Sequence, residues 1–312
     1  MEVRKEVVQI QGVRMGMVLQ ASSWEKPVLL VVHGGPGMPE FFLEEKFGSG
    51  LCEEFVVVWW DQRGAGLSFS KETKLKDLTV SKGIQDVIDV TNYLRERFHK
   101  EKIYILAHSF GTFLGIQAIA QAPELYEAYL GVAQVIYQKE SEKLAYEYMI
   151  EYYKRAGKKR TVRKLLKHDY TSKEYKKMRD SLMHKSGIGT MHDMKSVALG
   201  VFFASFFSKT YSFKETVNLW RGRALLRRSE LETTKLSEQW NFRNKITKVN
   251  VPVYFFSGVY DYTVNYKLVK GYYMKLKAPK KRYYLFEHSA HSPMFEEPER
   301  MCNIIKKDIL KE

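Results

Sequence analysis

Three side chains in this sequence of 312 residues could together cleave an ester or amide bond. Ser109 lies within ILAHSFGTFLG, Asp261 comes shortly after the stretch VPVYFFS, and His291 comes shortly after RYYLFE. A serine hydroxyl becomes a nucleophile when a histidine accepts its proton, and a carboxylate on the other ring nitrogen fixes the histidine tautomer. The three residue types therefore predict acyl transfer through a Ser-His-Asp triad.

Ser109 also has a simpler interpretation. The stretch around it passes from a strand-like segment directly into a helix-like one, with Ser109 at the turn, and a serine there is a common helix cap. The stretch is close to the pattern G-x-S-x-G, in which small residues allow a strained turn that projects the serine. Ala107 replaces the first glycine of that pattern and Gly111 keeps the second.

The other two triad positions have alternatives as well. His288 is a second candidate for the base, but it directly follows the strand-like segment, where the loop has little length to reach back. We therefore favour His291. Asp261 could instead serve only as a turn former. The chain order Ser, Asp, His is the order of the α/β-hydrolase triad, which favours the catalytic interpretation.

A tetrahedral intermediate also needs hydrogen-bond donors for its oxyanion. The apolar stretch VLLVV is followed by HGGPG at 33–37, where glycines let backbone N–H groups approach a ligand. We predict the N–H groups of Gly35 and Phe110 as the two donors, with Gly34 in the same loop.

Short apolar segments bounded by turn residues predict the strands of a mostly parallel sheet. They lie at 5–10, 13–20, 28–32, 55–60, 103–106, 128–136, 251–257 and 282–287. Helical periodicity lies between them, over about 84–98, 110–122 and 264–277. The alternation predicts an α/β fold with helices on both faces of the sheet. Loops at the carboxyl ends of parallel strands gather at one edge, so Ser109, Asp261 and His291 could meet there.

The strand pattern is absent from 137–246, which reads as helices and predicts a helical cap inserted into a core of residues 1–136 and 247–312. Residues 138–248 hold 26 Lys or Arg against 12 Asp or Glu, so nearly all of the net charge of +15 lies there. The basic stretch 154–168 has helical spacing without interleaved aromatic residues, which predicts a solvated helix face. We therefore expect no nucleic-acid partner.

Other features limit the possible protein classes. The hydrophobic content of 45% is typical of a folded globular chain. We expect no secretory signal and no membrane span, because the longest apolar run, 197–207, is too short to cross a bilayer. That run predicts a buried helix or a pocket wall. The two cysteines fit neither a disulfide framework nor a metal site, and we expect a cytoplasmic protein.

Three stretches resemble a known family. HGGPG at 33–37, WDQRGAGLS at 60–68, and the pair GVYDYTV at 258–264 and SAHSPMFEEPE at 289–299 are similar to the proline iminopeptidase-like branch of the α/β-hydrolase superfamily. The resemblance implies a Ser-His-Asp hydrolase with a helical cap over its active site and no cofactor or metal. It also implies that the loop from Asp61 to Ser68 is mainly structural, so Asp61 and Arg63 receive no catalytic role.

The substrate is less well defined, and three functions stay open. The stretch LGVAQV at 130–135 occupies the position at which iminopeptidases carry an arginine-containing stretch. The resemblance also implies carboxylates in the cap that hold the amino group of the substrate, whereas the cap of this chain is strongly basic. Glu215 is our candidate for that group, although Glu215, Glu230, Glu232 and Glu238 could simply pair with Lys or Arg. The alternatives to an iminopeptidase-like hydrolase of small molecules or short peptides are a carboxylesterase for apolar acyl groups and a non-catalytic binding protein. The oligomeric state is open.

Overall fold

The computed structural model describes residues 1–232 and 240–311. Eight strands form a single sheet. They are β1 Glu2–Ile10, β2 Val13–Ala21, β3 Val28–Val32, β4 Val56–Asp61, β5 Ile103–His108, β6 Tyr126–Val132, β7 Val253–Gly258 and β8 Lys281–Phe286. All eight predicted strands are confirmed, although β6 ends earlier than the apolar pattern indicated because the chain leaves the sheet after Val132.

Helices cover the sheet and occupy much of the described chain between β6 and β7. In residues 1–232 and 240–311, the α-helices are α1 Phe41–Phe47, α2 Val80–Arg97, α3 Phe110–Gln121, α4 Gln138–Arg155, α5 Lys159–Leu166, α6 Lys173–Lys185, α7 Ala204–Phe206, α8 Phe213–Leu226, α9 Phe242–Lys245, α10 Tyr266–Lys275, α11 Pro293–Glu296 and α12 Pro298–Ile304. Two π-helical turns, Ala198–Phe203 and Ile305–Ile309, precede α7 and follow α12. The predicted α/β class is confirmed.

The sheet order brings the loops of interest to one edge. The order is β1-β2-β4-β3-β5-β6-β7-β8, and β2 runs in the direction opposite to the other seven strands. Every residue of β3 and β4 is buried, as expected for strands covered on both faces. The carboxyl ends of β3, β5, β7 and β8 therefore meet at the same edge, where the HGGPG loop, Ser109 and the two later loops begin.

Two apolar layers sandwich the sheet and hold this edge in place. One layer packs α2, α3 and α10 on the sheet, with Val87, Leu94 and Ile116 fully buried. The other layer packs α1, α11 and α12 on the opposite face through residues such as Phe42 and Met294. The helix after Ser109 thus lies against the sheet, which fixes the turn that carries the serine.

Residues 137–246, which we call the cap segment, have a small core of their own. Among described residues 133–232 and 240–252, no strand joins the sheet. Helices α4, α5 and α6 instead bury a separate cluster that includes Met149, Leu165 and Tyr175. Helix α5 buries only Leu165 and exposes its basic side chains, so the predicted solvated face is confirmed.

The apolar run 197–207 differs from its prediction. It forms a π-helical turn followed by α7, and its main buried residues are Gly200, Val201 and Ser205. Leu199 is 69% exposed and Phe207 is 82% exposed. The prediction of a buried helix is therefore wrong for most of this run, because only one narrow side of it packs on the protein.

Two further observations concern predictions from composition. No helix in the described part of the chain is long and apolar enough to cross a membrane. Cys52 and Cys302 are both free thiols.

Candidate active site

Ser109 occupies a strained turn between β5 and α3. Its backbone has φ 53° and ψ −122°, a region that non-glycine residues rarely adopt. Ser109 lies at the N-cap position of α3, yet its side chain makes no capping hydrogen bond. Its Oγ lies 2.7 Å from Nε2 of His291 instead. The interpretation of Ser109 as only a helix cap is therefore wrong.

The small residues around Ser109 are required by close packing. A Cβ atom on Gly111 would lie 1.9 Å from the carbonyl oxygen of Val32, so no side chain fits there. Ala107 is tolerated at the other position because residue 115 is also glycine. A Cβ atom on Gly115 would lie 2.9 Å from Cβ of Ala107, closer than such atoms approach. The departure from G-x-S-x-G thus depends on Gly115, which the sequence pattern did not single out.

Asp261 and His291 complete a row of hydrogen bonds. Nδ1 of His291 lies 2.9 Å from Oδ2 of Asp261, whose Oδ1 accepts the N–H of Val264 at 2.8 Å. A carboxylate can only accept here, so Nδ1 carries the proton and Nε2 is free to accept from Ser109. Asp261 is fully buried. His288 is exposed, and its ring makes no hydrogen bond within the described residues.

The loop that carries His291 is held by Glu296. The carboxylate of Glu296 accepts the N–H groups of Ala290 at 3.0 Å and of Ser292 at 3.0 Å, on either side of His291. It also accepts the N–H of His192 in the cap segment at 2.6 Å. Burial raises the pKa of Glu296 to about 7, and the three N–H donors oppose that rise. Glu296 is a positioning residue that the sequence pattern did not reveal.

We expect Glu296→Gln to lower kcat about 10- to 100-fold with little change in KM. The amide of the glutamine places N–H donors where the carboxylate accepts, and a small displacement of a catalytic group has a large cost in rate. Steady-state kinetics on a p-nitrophenyl ester measure both constants. Glu299→Gln, an exposed change on α12, is the matched control. Equal kcat values for the two variants would contradict the assignment.

The predicted oxyanion donors differ in availability. The N–H of Gly34 donates to Oε1 of Glu40 at 3.0 Å, so the assignment of Gly34 as a donor is corrected. The N–H groups of Gly35 and Phe110 donate to no acceptor in the described part of the chain. Gly35 has φ 124°, and a Cβ atom there would lie 2.7 Å from the nitrogens of Gly37 and Met38. Gly35 and Phe110 stay the predicted pair.

A buried ion pair lies next to the triad. Oε1 of Glu40 lies 2.7 Å from Nδ1 of His108, and Nε2 of His108 lies 2.9 Å from the carbonyl oxygen of His291. Both partners are acceptors, so both ring nitrogens of His108 donate and the ring is an imidazolium. Each side chain is 5% exposed.

The pKa values of the pair agree with this protonation. Burial lowers the pKa of His108, but the charge and hydrogen bond of Glu40 outweigh it and leave that pKa above its usual value. Burial raises the pKa of Glu40, but the charge and hydrogen bond of His108 outweigh burial and leave that pKa below its usual value. The second oxygen of Glu40, Oε2, is buried and accepts no hydrogen bond from any described residue.

Asp61 and Arg63 have structural contacts. Oδ2 of Asp61 accepts the N–H of Leu67 at 2.7 Å, and Oδ1 accepts the hydroxyl of Tyr211 at 3.1 Å. Burial raises the pKa of Asp61 to about 7. Arg63 pairs with Asp86 through two hydrogen bonds, of 2.7 Å and 2.5 Å. These contacts agree with the absence of a catalytic role for either residue.

The assignment of Glu215 to a substrate amino group is corrected. Glu215 closes the capping box at the start of α8 and accepts from Nζ of Lys5 on β1 at 2.8 Å. Strand β1 lies four positions from β5 in the sheet, about 19 Å at the usual strand spacing. Of the alternatives named with it, Glu230 is exposed and Glu238 lies outside the described residues.

Asp180 on α6 connects to the active site through a series of contacts. Nδ1 of His184 donates to the carbonyl oxygen of Asp180 at 2.7 Å, and Nε2 of His184 accepts the N–H of Thr190 at 3.1 Å. The carbonyl oxygen of Thr190 accepts from Oγ of Ser292, the neighbour of His291. The side chain of Asp180 is 65% exposed to solvent. These contacts run through the backbone of Asp180, whose carboxylate accepts from Nη1 of Arg179 at 2.6 Å.

The charge of Asp180 is maintained by nearby cations. The surrounding protein raises its pKa by desolvation, but Arg179, His184 and Arg223 outweigh this effect and lower the pKa. Arg179 donates to Oδ1 of Asp180 at 2.6 Å, and it is also bound to Glu142 by two hydrogen bonds of 2.6 Å. For metals, no group of three or more His, Cys, Asp or Glu side chains within residues 1–232 and 240–311 could hold an ion.

Comparisons with known proteins identify the family. A family model described as the alpha/beta hydrolase fold matches residues 27–298. The probable aminopeptidase YbaC of Bacillus subtilis (strain 168) is 31% identical over 308 residues, which cover 97% of this chain and 92% of that protein. The proline iminopeptidase of Thermoplasma volcanium is 24% identical over 313 residues, covering 97% of this chain and 96% of that protein.

A solved structure extends the comparison to the fold. The crystal structure of the proline iminopeptidase of Mycobacterium smegmatis aligns with a TM-score of 0.65 at 14% identity, over 97% of this chain and 96% of that chain. That likeness shows a shared fold, whereas the family model and the 31% identical relative show membership of the family. This chain belongs to the α/β-hydrolase superfamily, as a hydrolase of its proline iminopeptidase-like branch.

Proposed function

We propose that this hydrolase cleaves an ester or amide bond through an acyl-enzyme formed on Ser109. The observation that carries the proposal is the continuous row of hydrogen bonds from Ser109 through His291 to buried Asp261. The free N–H groups beside Ser109, on Gly35 and Phe110, support it further. The intact row also argues against the non-catalytic binding protein.

In the proposed mechanism, His291 accepts the hydroxyl proton of Ser109 through Nε2 while Oγ attacks the substrate carbonyl carbon. The N–H groups of Gly35 and Phe110 donate to the oxyanion of the tetrahedral intermediate. His291 then gives the proton to the leaving group, and the acyl-enzyme remains. A water molecule, deprotonated by His291, hydrolyses the acyl-enzyme and restores Ser109. Asp261 stabilises the imidazolium that forms in each half of the cycle.

We propose an amino acid derivative or short peptide with a free amino group as the substrate. The relatives named an aminopeptidase and a proline iminopeptidase support this class. A pocket that selects a cationic amino group needs a carboxylate that stays ionised. Asp180 lies in the cap segment, its pKa is lowered, and its side chain is 65% exposed. Its Oδ1 accepts from Arg179, and its Oδ2 accepts from no described residue, so Asp180 replaces Glu215 as our candidate through that oxygen.

A carboxylesterase for apolar acyl groups is the second candidate. The observation in its favour is Gln134, which lies in the stretch where iminopeptidases carry arginine. Gln134 is fully buried and accepts the hydroxyl of Tyr129 at 2.6 Å, so it offers no charge to a substrate. An ester without charged groups needs no such contact.

Four predictions from the sequence stay predictions. They are a cytoplasmic location, the helical cap as a separate unit, the absence of a cofactor and the absence of a nucleic-acid partner.

A comparison of two substrates tests the choice. We expect wild-type enzyme to hydrolyse both proline-naphthylamide and a p-nitrophenyl ester. Asp180→Asn should raise KM for the arylamide at least about 10-fold and leave the ester unchanged, because only the arylamide carries an ammonium group. Asp193→Asn, an exposed change in the same segment, is the control. Hydrolysis of the ester with no turnover of the arylamide would establish the esterase instead.

A further inference from the structure

Six large apolar side chains of the cap segment form one exposed surface, which we call the aromatic face. Its members and exposed fractions are Leu199 69%, Phe202 38%, Phe203 50%, Phe206 36%, Phe207 82% and Phe213 75%. Ring centroids of Phe202 lie 5.2 Å from Phe203 and 5.3 Å from Phe206, and Phe206 lies 5.8 Å from Phe213. The exposed area is on the order of 600 Å², at the upper limit of the largest apolar patch on a monomer.

Buried contacts hold the aromatic face in place. Phe202 packs on Trp220 of α8 with a centroid distance of 4.8 Å, and Nε1 of Trp220 donates to Oγ of Ser205 at 3.0 Å. Gly200 lies against Met194, where a Cβ atom would approach the sulfur to 2.5 Å. The rings are therefore presented outwards on a packed base, and their exposure is a defined feature of the fold.

Exposed lysines lie in the segment that carries the aromatic face. Residues 195–214 include the exposed Lys195, Lys209 and Lys214 and no acidic residue. Two carboxylates from outside this range contact it or its flanks. Glu45 accepts the N–H of Thr210 at 3.0 Å, and Glu215 accepts from Lys5 at 2.8 Å. The segment that carries the face thus contributes three positive charges and no negative one.

This charge distinguishes between the possible occupants. A second copy of the chain would bring two cap segments together, each with 26 basic against 12 acidic residues over 138–248, and like charges would oppose the contact. An anionic lipid surface has the opposite charge at its headgroups and an apolar boundary just below them. Lysines and aromatic rings on one surface are the combination that binds there.

We propose that the aromatic face binds the surface of a membrane containing anionic lipids, so that the enzyme associates peripherally with the bilayer. The rings enter the boundary between headgroups and acyl chains, and the lysines pair with lipid phosphates. This inference concerns where the enzyme acts and is independent of which bond it hydrolyses.

Sedimentation with vesicles tests the proposal. We expect wild-type protein to sediment with vesicles of equal parts phosphatidylglycerol and phosphatidylcholine, and much less with phosphatidylcholine alone. Phe203→Ser combined with Phe207→Ser should lower the fraction bound to anionic vesicles at least about 10-fold. Lys209→Glu combined with Lys214→Glu should have a similar effect, and added salt should weaken wild-type binding.

Matched controls lie on α10, on another part of the surface. Met274 is 68% exposed and Lys275 is exposed, so Met274→Ser and Lys275→Glu change the same residue types without touching the aromatic face. All variants should hydrolyse a soluble ester normally without vesicles, because the exposed changes leave the fold intact. Wild-type binding that equals that of the phenylalanine variant would overturn the proposal. So would a wild-type dimer in analytical ultracentrifugation that the phenylalanine variant dissociates, since the face would then be a subunit interface.

Discussion

Ser109→Ala should abolish hydrolysis and remove labelling of the protein by a fluorophosphonate. The probe phosphonylates only a serine whose proton can be taken by a neighbouring base, and Oγ of Ser109 lies 2.7 Å from Nε2 of His291. Asp261→Asn and His291→Ala should each lower kcat by about 10⁴-fold or more, because the three side chains act as a unit. Steady-state kinetics and gel-based labelling provide the two measurements.

The control for this prediction is His288→Ala. His288 has the same residue type and lies three positions from His291, yet it is exposed and its ring makes no hydrogen bond in the described part of the chain. Its removal should leave kcat within about twofold, as for most surface changes. Persistent labelling of Ser109→Ala, or a loss of activity in His288→Ala that His291→Ala does not show, would contradict the proposed mechanism.

The triad residues could be predicted because each lies at the end of a recognisable strand. A parallel sheet brings such ends to one edge, so strand positions and chain order were sufficient to associate Ser109, Asp261 and His291. The same reasoning could not identify Glu40 or Glu296. Glu40 meets His108 across 68 positions of the chain, and nothing in either local sequence indicates that contact.

Surface chemistry was harder to predict than strand ends. Glu215 was predicted to hold a substrate amino group, with pairing to Lys or Arg as the alternative, but its contact with Lys5 depends on how α8 packs beside β1. The run 197–207 was predicted to be buried because hydrophobicity alone favours burial. Its exposure depends on which side of a π-helical turn meets the protein, and the sequence contains no signal for that. Residues that act through tertiary contacts therefore required the structure.

The buried pair of Glu40 and His108 should stabilise the fold and position the catalytic histidine. Removing one charge leaves the other buried without a partner, so Glu40→Ala should lower the free energy of unfolding by about 3–5 kcal/mol. Glu40→Gln/His108→Gln should lower it less, because neither charge then remains. Denaturant unfolding of both variants and of each single variant gives the coupling energy of the pair.

The pH dependence of that coupling follows from the two pKa directions. The pKa of His108 is raised in the folded protein. Its contribution to the stability of the fold is therefore complete below the pKa of the unfolded chain, about 6.5, and is lost as pH rises through the folded pKa. The pKa of Glu40 is lowered in the folded protein. Its contribution to the stability of the fold is therefore present above the pKa of the unfolded chain, about 4.3, and is lost as pH falls through the folded pKa. The stability difference between wild type and Glu40→Gln/His108→Gln should therefore be largest between about pH 4.5 and 6.5.

A role for this pair in positioning His291 also predicts a kinetic effect that stability alone does not produce. Nε2 of His108 donates to the carbonyl oxygen of His291, so His108→Gln should displace the base and lower kcat about 10- to 100-fold, with KM little changed. Measurements well below the melting temperature separate this effect from unfolding. Gly34 donates to Glu40 beside the predicted oxyanion donor, so Glu40→Gln should lower kcat as well. If both variants unfold more easily but keep wild-type kcat, the pair stabilises the fold and does not position His291.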